Sequence, residues 1–112
     1  MQPVPTYSEE DLSRIVAREF RGRQGAEVMR ILAQYGVEDW QRETLRVRMA
    51  CLKLAAGDLV RLRAAVAAAC GDYRDVLASA EYPRYLRAHN ADATRDAVAL
   101  DWQELRDWLH RR

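Results

Sequence analysis

The sequence is short of several things, and each shortage excludes something. Lysine is nearly missing: Lys53 stands alone, and the other 17 basic residues are arginines. Basic and acidic residues almost cancel, 18 against 17, for a net charge of +1. That leaves no basic excess of the kind a dedicated polyanion-binding arm needs. The two histidines, His89 and His110, lie in different segments with no cysteine or carboxylate at ligand spacing, so no zinc site is expected. No run of about 18 apolar residues exists to cross a membrane. No strand-like alternation appears either, so no glycine-rich phosphate loop can follow a strand. Ser8, Ser13 and Ser79 lack the glycine context of a nucleophile elbow. The expectation is a chain without catalytic, metal or cofactor-binding residues.

Only two cysteines are present, Cys51 and Cys70, both at apolar helical positions. No basic-then-apolar leader opens MQPVPTYSEED. The two are therefore expected as small core residues in a reducing cytoplasm, with a disulfide between them as the alternative.

What is there is helical. At 112 residues the chain suits one domain with one core. Helix formers dominate and β-branched residues are few. The reading is an all-α compact bundle of about five helices around a central antiparallel hairpin, about 39–56 and 58–82. In the second arm Leu59, Leu62, Val66, Ala69, Tyr73, Val76 or Leu77, and Ala80 keep a helical rhythm straight through Gly71-Asp72. One long helix to Glu81 is expected, with Asp58 as its cap and Pro83 as its stop. The first arm is apolar on two sides, Leu45, Met49, Leu52 and Ala56 on one, Trp40, Val47, Cys51 and Leu54 on the other. That leaves a strip with Arg42, Arg46 and Lys53 for water. Gly57 suits the left-handed position between the arms. Arg48 falls between the apolar stripes. It either snorkels to water or pairs with Asp72, Asp75 or Glu81.

The strings Arg46-Val47-Arg48, Leu52-Lys53-Leu54, Gly57-Asp58-Leu59, Asp72-Tyr73-Arg74-Asp75-Val76-Leu77-Ala78 and Ala80-Glu81-Tyr82-Pro83 resemble the core of a family of short, uncharacterised bacterial helical proteins. The resemblance implies a bacterial origin and a small soluble protein. It carries no activity, ligand or functional residue.

Around the hairpin, residues 1–7 read as a flexible lead-in and 8–83 as the bundle. Residues 84–112 read as a linker and an amphipathic helix. Ser8 and Asp11 start the first helix, Tyr7 staples onto Leu12, and Leu12, Ile15, Val16 and Phe20 face inward. Gly22 to Gly25 breaks the chain. A second helix, about 24–35, then buries Val28, Ile31, Leu32 and Tyr35. Asn90 or Asp92 starts a short helical piece through Val98. Asp101 and Glu104 form a capping-box pattern for the last helix, whose Trp102, Leu105, Trp108 and Leu109 need cover. That cover is the chain's own bundle or a second copy of the chain.

Three functional readings stay open. A protein-interaction module, a homodimer where its last helix covers a partner copy, would use Trp102, Leu105, Trp108 and Leu109. A nucleic-acid binder would use the Arg14, Arg18 and Arg21 stripe with Arg23, and its binding would weaken steeply with salt. A small-ligand binder or enzyme would need a concave pocket among Asp72, Arg74, Asp75, Glu81 and Tyr82, with Arg42 and Arg46 at matching height. The competing reading of that last cluster is a structural ion-pair network.

Overall fold

A computed structural model describes residues 3–112. Among them it is all-α, without a strand: α1 (Glu9–Glu19), α2 (Gln24–Leu32), α3 (Thr44–Ala55), α4 (Leu59–Glu81), α5 (Pro83–Leu86) and α6 (Ala91–His110). None of these helices is long and apolar enough to cross a membrane.

Local side-chain caps open three of the six helices. The Ser8 hydroxyl accepts the Asp11 N–H, and the Asp11 carboxylate accepts the Ser8 N–H, a reciprocal box at the head of α1. Asp58 accepts the N–H groups of Val60 and Arg61 and so opens α4. The expected inward faces of α1 and α2 are buried as anticipated, Leu12, Ile15, Val16 and Phe20 meeting Val28, Ile31, Leu32 and Tyr35. Helix α3 is covered on more than one side, with Val47, Met49, Cys51 and Leu52 all inaccessible. It runs back along α4 as the first arm of the hairpin. Ala56 and Gly57 both take positive φ at the reversal, and a Cβ on Gly57 would lie 3.0 Å from the Glu19 carbonyl oxygen. Glycine there lets the hairpin loop touch the end of α1.

Several boundaries differ from expectation. The first arm begins at Thr44 and not near Asp39, so Trp40 and Arg42 belong to a loop. Helix α4 is not one regular rod: Asp72 has extended dihedrals (φ −150°, ψ 102°) and its carboxylate accepts the Arg74 N–H at 3.0 Å. Gly71-Asp72 thus repeats the device of Gly57-Asp58, capping a fresh stretch of helix after a break. The apolar rhythm crosses this joint because Ala69 before it and Val76, Leu77 and Ala80 after it are all buried.

The C-terminal third is also more ordered than a linker. Residues 83–86 form α5, and α6 is one continuous 20-residue helix capped by Asn90 through the Ala93 N–H. Asp101 does not start a helix. It sits buried in the middle of α6 and accepts the N–H groups of Arg84 and Tyr85, together with the Arg84 guanidinium. It caps α5 from a distance. At the other end, Pro5 is buried and Tyr7 packs on the core, where burial holds its phenol above the usual value. The described part of the lead-in, residues 3–7, is therefore a strap with a buried anchor; Met1 and Gln2 lie outside the described residues.

Candidate functional site

The segment between α2 and α3 builds its shape from polar groups. Helix α2 ends at Leu32, and the chain turns through Gly36 at φ 106°. A Cβ there would meet Thr44 Cγ2 at 2.8 Å, so only glycine fits. Beyond it the Gln41 side chain folds inward, 8% exposed, and its Oε1 accepts three successive N–H groups: Gly36 and Val37 at 2.8 Å and Glu38 at 3.0 Å. Arg48 donates from Nε and Nη2 to the Tyr35 carbonyl, at 3.2 and 2.7 Å. A cation at this position suits the exposed carbonyls where a helix ends. The Tyr35 hydroxyl donates to the Arg42 carbonyl at 2.6 Å, and burial raises that phenol to about 12. Both flanks of the loop are thereby tied to the core.

The same loop turns its largest apolar side chains outward. Val37 is 72% exposed and Trp40 49% exposed. Glu38, Asp39, Arg42 and Glu43 flank them in the chain, all exposed, three carboxylates against one arginine, with Glu43 also paired to Arg46 at 3.7 Å. A lone exposed valine on a floppy loop would be unremarkable. A tryptophan and a valine held out by a buried amide are a preorganised contact point, since little ordering entropy remains to be lost on docking. Gln41→Ala is expected to cost about 1–3 kcal/mol in stability. It should also speed hydrogen exchange at the Gly36, Val37 and Glu38 amides, read by NMR, without loss of helical circular dichroism.

The residues singled out by sequence do not converge on a pocket. Arg46 is not on a water-facing strip. Its Nε and Nη2 grip the Glu81 carboxylate at 2.8 and 2.5 Å, and this pairing holds the guanidinium above its ordinary pKa. Lys53 likewise leaves the strip and reaches Glu104 at 3.3 Å, beside Arg84 at 2.7 Å. Arg48 pairs with a carbonyl and with none of Asp72, Asp75 or Glu81. Asp72 and Arg74 bond each other on the exposed side, a pair of little energetic weight. Arg42 and Asp75 are exposed and form no ion pair among the described residues. Tyr82 meets Tyr85 edge-on at 5.9 Å. The concavity bordered by Glu81 and Tyr82 has a volume of about 10 Å³, room for one water at most.

The arginine stripe of α1 is also broken. Arg14 pairs with Asp11, and Arg21 and Arg23 are exposed. Arg18 instead lies under the tail, donating to the carbonyls of Trp108 and Arg111 at 2.6 Å each and stacking on the Trp108 ring at 5.5 Å. Burial pulls its pKa down. Apart from Glu19 at 3.6 Å, its polar contacts belong to the end of α6, whose inward face is covered by its own chain. Leu105 and Trp108 are buried, and Trp102 and Leu109 pack on the same core. Trp108 Nε1 donates to Glu19 at 3.3 Å. The four residues proposed as an interaction face therefore close the bundle.

Cys51 and Cys70 are free thiols. Burial pushes the Cys51 thiol up to about 12, whereas Cys70 is half-buried near the Gln34 carbonyl. A thiolate-directed reagent at neutral pH should modify Cys70 alone in the native state, with Cys51 reacting only after denaturation. Mass spectrometry of the two peptides reads the difference.

The braced loop escaped sequence reading because no periodicity marks it. The residues flanking Trp40 were absorbed into the helix that follows, and Gln41 has no motif. No protein-family model matches the chain, and no curated protein and no solved structure matches it.

Proposed function

We propose that this chain is a small protein-interaction module of the bacterial cytoplasm whose partner docks on the Val37–Trp40 loop. The observation that carries the reading is the buried Gln41 amide holding an exposed tryptophan and valine in place. Interfaces draw much of their energy from a few such aromatic anchors. The bacterial and cytoplasmic parts rest on the family resemblance and on the two free thiols, Cys51 in the core and Cys70 half-buried.

The nucleic-acid reading has less support, because Arg18 is engaged by carbonyls of α6 and only Arg21 and Arg23 of its arginines stand exposed and unpaired among the described residues. The ligand reading at Glu81 and Tyr82 has only a water-sized concavity to draw on.

Affinity capture with the native chain and with Trp40→Ser, run side by side, tests the proposal. Trp40 is half exposed and takes part in no side-chain hydrogen bond among the described residues, so the variant should melt at the native temperature. Proteins retained by the native chain and lost from the variant are the expected result. Identical recoveries from both would overturn it.

A further inference from the structure

At the opposite end of α2 from the braced loop lies an open groove of about 580 Å³ between α1 and α2. Val16 and Phe20 form its floor, Ala17 and Met29 its sides, and Arg21 its rim. Gly25 also lines it, and a Cβ added there would meet nothing within 4 Å. Arg23 is exposed in the turn just beyond Arg21. The size falls in the range of real binding clefts.

We infer that the occupant of this groove is the Val37–Trp40 loop of a second copy of the chain. The argument is complementarity on two counts. The loop presents apolar bulk on a stiff backbone, and the groove presents an apolar floor of matching scale. Around the loop stand Glu38 and Asp39, exposed and in no ion pair among the described residues, with one arginine and with Glu43, which also reaches Arg46 at 3.7 Å. The groove, by contrast, is rimmed by Arg21 with Arg23 alongside. Opposite charge steers such an encounter and fixes its orientation. The inference rests on the loop being a docking element and adds the identity of what it docks into.

Because knob and socket are different surfaces, the contact is heterologous. It leaves a free knob at one end and a free socket at the other, and so propagates head to tail into rings or short filaments. A contact this small is at the weak end of protein interfaces. Association is therefore expected only at high protein concentration, and it should fade with added salt.

Sedimentation velocity over a concentration series tests the inference, with two variants that each disable one surface. Trp40→Ser removes the knob. Gly25→Glu places a carboxylate in the socket at a helical position with open space, so it should fold; Arg21→Glu, at an exposed residue, serves the same purpose if it does not. The native chain is expected to show mass rising with concentration at low salt, and each variant alone to remain monomeric. Mixing the knobless and socketless variants should restore one interface and only one, giving dimers that grow no further. A native chain that stays monomeric throughout, variants that associate like the native chain, or a mixture that forms nothing would each overturn the inference. If the native chain stays monomeric while Trp40-dependent capture of another protein succeeds, the loop keeps its docking role and only the second-copy occupant falls.

Discussion

Arg46→Met is expected to lower the unfolding free energy by about 3–5 kcal/mol, because it leaves the Glu81 carboxylate buried without its partner. The Glu81 side chain is only 5% exposed, and both its oxygens are taken by the one guanidinium. For a chain of this size that loss corresponds to a fall of roughly 12–20 °C in melting temperature. It would remove a large part of the roughly 5–15 kcal/mol that holds a typical domain. The double variant Arg46→Met with Glu81→Leu should recover most of the loss, since a buried ion pair replaced by apolar groups of similar size is often neutral or better. Urea unfolding of the two single variants and the double variant measures the coupling. A double variant as unstable as Arg46→Met would show that packing of the arginine stem, not the charge pair, holds this corner.

Asp101→Ala should cost about 3 kcal/mol. Asp101 is 3% exposed, and its two oxygens accept the N–H groups of Arg84 and Tyr85 plus the Arg84 guanidinium. Removing it strands two donors at the head of α5, while the Arg84 guanidinium keeps Glu104 at 2.7 Å. Asp101→Asn should be intermediate, since an amide keeps one acceptor but turns its NH2 toward a donor. The exchange of the Arg84 and Tyr85 amides should rise in both variants, while amides of α1 and α2 stay protected. Equal protection of the α5 amides in the native chain and Asp101→Ala would remove the capping role.

Those two residues also show where sequence reading reached and where it stopped. The Asp101-to-Glu104 spacing reads as the start of the last helix, but that helix begins at Ala91 under Asn90, and Asp101 caps a different one. The helix it caps lies 16 to 17 residues upstream, and nothing local points there. Ser8, Asp11 and Asp58 were placed correctly because their partners are within three residues. The antiparallel register of the hairpin places Arg46 at the height of Glu81, and that register is real. Arg18 and Arg48 could not be read, because both end on backbone carbonyls, and any residue supplies a carbonyl. At Gly71-Asp72 burial preserves the apolar rhythm and hides the break from the sequence, although the same dipeptide at Gly57-Asp58 marks a boundary. Trp40 was assigned to a helix face that starts only at Thr44. The loop before it is held by Gln41, whose role depends on a chain reversal at Gly36 with no strong local mark besides the glycine.

The joint at Asp72 has a mechanical meaning. A continuous α-helix resists flexing along its whole length, but one with a single extended residue concentrates any flex at that point. Upstream, α4 lies along α3 with Leu62, Val66 and Ala69 buried; downstream, it is clamped to α3 again where Arg46 holds Glu81. The forearm beyond this elbow is seated by Val76, Leu77 and Ala80 in the core and by the guanidinium–carboxylate clasp. Helix α6, which follows it, is tied separately to α1 through Arg18 and Glu19 and to α3 through Lys53, so the bundle closes across the elbow and braces it from both sides.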